Sequence, residues 1–126
     1  MIMSGAVPTI YLVDDDPAVR DSMRTMLEAF GMDVRDYASA KAFLADRYRN
    51  KRGCLVVDLH MPEMGGLELL ESLRQQGSSL PVIVFTGRGD VNLREHVERI
   101  GAVALLAKPV VTDLLLQTIE RVASAP

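Results

Sequence analysis

The sequence predicts an α/β domain in which a parallel sheet is covered by helices on both faces. Three observations predict it. Four short apolar runs, TIYLV (9–13), CLVV (54–57), PVIVF (81–85) and ALLA (104–107), are each too short for an ordinary helix, and three of them are rich in β-branched residues. Segments with apolar residues at the helical period lie between them. Strand and helix then alternate five times, a pattern that right-handed crossovers turn into one parallel sheet.

Each element has its own local reason. After the first strand, Val19, Met23, Met26, Leu27 and Phe30 recur at the helix period, with Pro17 suited to the first turn and Gly31 to the end. DVRDY (33–37) alternates apolar and charged residues, as an edge strand exposed on one face does. Ser39 is a suitable cap for a short helix through Phe43 and Leu44. Leu67, Leu70 and Leu73 mark a third helix closed by Gly77, and Leu93, Val97 and Ile100 a fourth before Gly101. Leu114, Leu115, Ile119 and Val122 mark the fifth. Residues 1–8 read as a flexible leader and 9–124 as the single domain.

Bulk properties narrow the function. The chain has 126 residues, enough to bury a core, and is 48% hydrophobic and 25% charged, an ordinary globular balance. Its net charge of −3 argues against nucleic-acid contact by this segment, because phosphate recognition needs clustered Lys and Arg. The lone Cys54 excludes an internal disulfide and suits a reducing compartment; it reads as inert core. No apolar run approaches the roughly 20 residues of a membrane span, so the expected location is the cytoplasm, with no membrane partner.

In parallel α/β sheets ligands bind beyond the carboxyl ends of the strands. Past the first strand stand Asp14, Asp15 and Asp16, and past the third Asp58, followed by Leu59, His60, Met61 and Pro62. The fourth strand runs into Thr86, and the fifth into Lys108 and Pro109. Carboxylates, a hydroxyl and an ammonium thus collect at one edge. Two carboxylates about 4 Å apart repel by roughly 4 kcal/mol at an effective dielectric near 20. One lysine cannot neutralise Asp14, Asp15 and Asp58 together, whereas Mg²⁺ (or Mn²⁺) can, keeping open coordination positions for a phosphoryl oxygen. A nucleophile, a metal, an ammonium and a hydroxyl donor are the parts that in-line phosphoryl transfer requires. Asp58 is the candidate nucleophile, because it stands alone after a central strand. Taken in isolation the DDDP stretch also reads as a solvated helix start, and Asp16 is assigned to that capping role rather than to the metal. His60 lacks the companion ligands of a zinc site, His96 lies among charged helix residues, and GRGD (87–90) lacks the spacing of a phosphate-binding loop.

The motifs LVDDD (12–16), VVDLHMPEMGGLELL (56–70), VIVFTGRGDV (82–91) and AKP (107–109) agree in order and spacing with one family. The sequence resembles the receiver domain of bacterial two-component response regulators from Thr9 to Ala123. The resemblance implies a flavodoxin-like (βα)5 sandwich with strand order 2-1-3-4-5; the chemotaxis receiver is itself a standard example of that order. It implies that Asp58 accepts a phosphoryl group from the phosphohistidine of a sensor histidine kinase. Asp15 then binds Mg²⁺ directly and Asp14 mainly through water, with Asp58 and the backbone carbonyl of His60 as further ligands. Lys108 pairs with Asp58 and then with a phosphoryl oxygen, and Thr86 turns to bond the phosphoryl group. A cis peptide precedes Pro109 in the family. His60 and Arg88 occupy the two positions that tune phosphoryl lifetime, and their bulk is expected to slow hydrolysis.

The chain departs from the family pattern at Leu105, where many receivers carry Tyr or Phe, and at Val110, where many carry Phe. An aromatic rotamer switch cannot operate there in the usual way, so weak coupling is expected between phosphorylation and the surface of the fourth and fifth helices. Three function classes use this combination of fold and acids: a phosphorylated signalling receiver, an unphosphorylated interaction module of the same fold, and an aspartyl-nucleophile phosphohydrolase of the haloacid dehalogenase type. The last needs an Asp two residues beyond the nucleophile, where this chain has His60. The second commonly loses the acidic pair, Asp58 or Lys108, all of which are present here. The receiver reading is therefore preferred: a signalling domain rather than an enzyme, catalysing only its own phosphorylation and dephosphorylation. YASAKAFL (37–44) and TGRGDV (86–91) resemble receivers of transcription-factor regulators, so an output domain, or self-association through the fourth and fifth helices, are the expected further partners.

Overall fold

A computed structural model describes residues 9–46, 52–87, 91–108 and 112–123. The elements follow in the order β1 (Thr9–Val13), α1 (Pro17–Ala29), β2 (Asp33–Tyr37), α2 (Ala40–Ala45), β3 (Cys54–Asp58), α3 (Gly66–Gln75), β4 (Val82–Thr86), α4 (Arg94–Ile100), β5 (Ala104–Ala107) and α5 (Thr112–Ala123). A single 3-10 turn, Val91–Leu93, leads into α4. All five strands pair in parallel in the order β2-β1-β3-β4-β5, the flavodoxin-like arrangement.

Alternation along the strands explains why the central runs are apolar throughout. Tyr11, Val13, Leu55, Val57, Val82, Val84 and Leu105 face one layer, with Phe43 of α2, Leu69, Leu70 and Leu73 of α3, and Val97 of α4. Ile10, Leu12, Cys54, Val56, Ile83, Phe85 and Leu106 face the other, with Met23 and Leu27 of α1 and Leu115, Leu116 and Ile119 of α5. A strand covered on both faces has no position left for a polar residue until it ends. β2 lies at the edge, and there Asp33 and Arg35 are exposed while Val34 is buried.

Local chemistry sets the helix ends. Asp16 caps α1, its side chain accepting from the backbone N–H groups of Ala18 and Val19, and Pro17 follows in the first turn. Ser39 caps α2 by accepting from Ala42 N–H at 3.1 Å. At the far end of α4, Gly101 adopts φ 123°, and the Arg74 side chain lies over it. Arg74 donates to the carbonyls of Ser78, Leu80 and Gly101, so one guanidinium ties the connections before β4 and β5 together.

Two boundaries differ slightly from those read in the sequence. β3 includes Asp58, and β4 is displaced by one residue to include Thr86. In both cases the ladder extends because the polar residue is itself buried against a neighbouring strand: Leu59 N–H donates to the Phe85 carbonyl at 2.8 Å and Lys108 N–H to the Thr86 carbonyl at 2.7 Å. Hydrogen bonding, not hydrophobicity, decides where the strand stops. The leader expected over 1–8 lies outside the described residues, as do Arg88, Pro109 and Val110.

Candidate functional site

The carboxyl edge of the sheet brings Asp14, Asp15 and Asp58 together. Asp14 is fully buried and Asp58 nearly so, while Asp15 is exposed. One carboxylate oxygen from each lies within 4.8 Å of the other two, close enough to share a cation. Backbone groups restrain Asp14 and Asp58. Asp14 N–H donates to the Tyr37 carbonyl at 3.2 Å, continuing the β1–β2 ladder one residue past its end. The Asp14 Oδ1 accepts Asp16 N–H at 2.9 Å, and Asp58 Oδ1 accepts His60 N–H at 3.1 Å.

Lys108 enters from beyond β5. Its Nζ stands 2.9 Å from Asp58 Oδ2 and 3.9 Å from Asp14 Oδ2. The same ammonium lies 4.9 Å from the ring centroid of Phe85, on the residue paired with Asp58 across β3 and β4. Thr86 closes β4 and is buried at this edge. Sequence reasoning missed the Phe85 platform, because an aromatic within an apolar strand looks like core until its neighbour is known. It also missed the bond from His60 N–H to Asp58; two-residue side chain-to-backbone contacts of this kind are common for Asp, and that signal was available.

The electrostatics are unbalanced. Asp14 Oδ2 is buried and has no hydrogen-bond partner. Burial is the main cause that raises the Asp14 carboxyl above its ordinary range; Asp16 N–H and Lys108 pull it down, and Asp58 and Asp15 push it up again. An orphaned, deeply buried carboxylate oxygen beside two further carboxylates is a poor device for stability and a good one for a hard cation. The donor set, all oxygen and partly open to solvent, fits Mg²⁺.

The loop from β3 to α3 wraps this edge closely. Glu63 takes φ 67°, the left-handed region, and its carboxylate lies 3.4 Å from Lys41 Nζ on α2. A Cβ on Gly66 would stand 2.7 Å from the Asp58 carbonyl oxygen, and one on Gly65 2.5 Å from that of Leu59. Only glycine permits that approach. Along the same loop opens a cleft of about 460 Å³ lined by Leu59, His60, Met61, Pro62, Gly65 and Glu68. The His60 residue is exposed there. Leu105 is buried, packed inward in the same layer as Val97. His96 is exposed on α4, and burial pushes the Cys54 thiol up to about 12, as an unreactive core cysteine requires.

Comparison with known proteins agrees with this geometry. The model of the response regulator receiver domain matches residues 10–120, and the chain belongs to that family. It is thus a receiver domain of the two-component response regulators. The transcriptional regulatory protein FixJ of Azorhizobium caulinodans is 44% identical over 100 residues, covering 79% of this chain and 47% of FixJ. The response regulator protein TodT of Pseudomonas putida is 36% identical over 117 residues, covering 93% of this chain and 52% of TodT. The chain therefore spans about half the length of the curated relatives it matches. The crystal structure of FixJ-N superposes with a TM-score of 0.87 at 38% identity, covering 96% of this chain and 97% of that one. No described helix is long and apolar enough to cross a membrane.

Proposed function

We propose that Asp58 is the phosphoacceptor, taking a phosphoryl group from the phosphohistidine of a sensor histidine kinase in a reaction that needs Mg²⁺. The observation that supports this best is the contact between Lys108 Nζ and Asp58 Oδ2, at 2.9 Å, beside an Asp14 Oδ2 that has no hydrogen bond. Asp14, Asp15 and Asp58, with the His60 carbonyl, would hold the ion; when bound it supplies positive charge to the phosphoryl oxygens. A carboxylate oxygen of Asp58 attacks phosphorus, and the bond from phosphorus to the imidazole nitrogen breaks. The His60 N–H on Oδ1 and the Lys108 ammonium on Oδ2 fix the carboxylate for that approach. As charge moves outward, Lys108 follows it to a phosphoryl oxygen, and the Thr86 hydroxyl takes another.

The protein works as a signalling module that catalyses its own phosphorylation and dephosphorylation, in the cytoplasm. His60 and Arg88, at the two positions that tune phosphoryl lifetime in this family, slow hydrolysis of the aspartyl phosphate. Transmission to an output domain acting on transcription, or to a second copy through α4 and α5, is the next step, since the relatives include transcriptional regulators. The test is intact-mass analysis after acetyl phosphate and Mg²⁺. One added phosphoryl group in the parent and none in Asp58→Asn is the expected result; equal labelling of both proteins refutes the assignment.

A further inference from the structure

Arg20 belongs to none of the motifs that mark the site, yet it grips the backbone of the most deeply buried acid. Its Nη1 donates to the Asp14 carbonyl at 2.7 Å, while its Nε donates to Asp36 Oδ2 on β2 at 3.1 Å. The other Asp36 oxygen is paired with Arg24, one turn further along α1. Both Arg20 and Asp36 are largely shielded from solvent. Asp14 is consequently restrained at its N–H by the Tyr37 carbonyl, at its carbonyl by Arg20, and at Oδ1 by Asp16 N–H. Oδ2 alone is left without a hydrogen bond.

The arrangement is unexpected on charge alone. A guanidinium bonded to the backbone of one member of an acidic cluster would be expected to pair with a carboxylate of that cluster. It is instead held to a backbone carbonyl, and Asp36 is the group that holds it. We infer that Arg20 is a positioning residue for cation binding, aiming the Asp14 carboxylate, and that Asp36 keeps it in that role and out of the pocket. The fork of the guanidinium matters because it spans two acceptors at once, which a lysine ammonium on a flexible stem does not reproduce.

This inference rests on the proposed metal-binding role of Asp14, and its sign separates it from a plain charge effect. Deleting a nearby positive charge by itself tightens binding of a cation. Losing the positioning of a ligand weakens it, by about tenfold for partners that orient metal ligands. The experiment is calorimetric titration of the metal-free protein with Mg²⁺ at fixed ionic strength, for the parent, Arg20→Gln and Arg20→Lys. Weaker binding by about tenfold is expected in Arg20→Gln, and a clear loss in Arg20→Lys although the charge is kept. Unchanged or tighter binding in Arg20→Gln overturns the inference, as does parental affinity in Arg20→Lys; the lysine variant decides alone should the glutamine variant not fold. Labelling by acetyl phosphate at saturating Mg²⁺ should return to the parental rate in a variant that is merely mispositioned for the metal. A rate that stays low at saturation assigns Arg20 to general structure instead. Failure of the parent itself to bind Mg²⁺ counts against the metal site, not against Arg20.

Discussion

Asp14 shows how a single side chain records the demand of a site. Folding buries its carboxylate, which raises its pKa, and leaves one oxygen without a hydrogen bond. The native state therefore holds on to the Asp14 proton more strongly than the unfolded chain does. The contribution of this group to metal-free stability is greatest below the ordinary carboxylate value of 3.8 and is lost as pH rises through the raised native value. If Mg²⁺ binds Asp14 as proposed, protons compete with it for the carboxylate, so metal affinity should rise over that same window. At neutral pH, Asp14→Asn should make the metal-free protein about 1–2 kcal/mol more stable to urea and abolish the stabilisation by Mg²⁺. A variant less stable than the parent without metal contradicts the account of this residue. That these acids belong together was legible in the sequence, because carboxylates behind two different buried strands fall at the same edge of a parallel sheet. Their unequal burial was not: Asp14 and Asp15 are neighbours with the same chemistry, yet Asp14 continues the ladder to β2 and is buried while Asp15 is exposed.

Elements matter here chiefly for how they end. β3 and β4 each extend through a buried polar residue, and α3 begins with Gly66 pressed against the Asp58 carbonyl. Gly66→Ala must displace backbone rather than a flexible side chain. It should cost about 1–3 kcal/mol and slow labelling of Asp58, read from chemical unfolding and a labelling time course. An alanine variant as stable and as quick to be labelled as the parent argues against so tight an approach. The five helices and five strands were readable from periodicity, and Asp16 and Ser39 from cap chemistry. The ties between distant elements were not readable. Nothing in the neighbourhood of Arg74 announces that it serves three carbonyls, one of them at Gly101, and nothing near Arg20 points to Asp36. Such bonds depend on which loops the fold brings side by side.

At the scale of the whole molecule, the sheet separates a layer holding α1 and α5 from one holding α2, α3 and α4, with the acidic pocket at their common edge. A signal must travel from that pocket to a surface. Leu105 is packed inward among apolar neighbours, and a leucine offers no hydroxyl or ring to swing in answer to the movement proposed for Thr86. Amide exchange with and without beryllofluoride should therefore show strong new protection around the pocket and little change across α4 and α5. A large change confined to α4 and α5 would show that the leucine repacks and couples as well as an aromatic does.

The central claim is that one pocket, assembled from residues far apart in the chain, delivers a phosphoryl group to Asp58. Borohydride reduction of the freshly labelled protein, followed by peptide mapping, tests it most directly, because reduction of an aspartyl phosphate leaves homoserine at the labelled position. The account predicts homoserine at position 58, appearing only when Mg²⁺ is present. Homoserine at another carboxylate, or label that forms equally well in chelator, would contradict it.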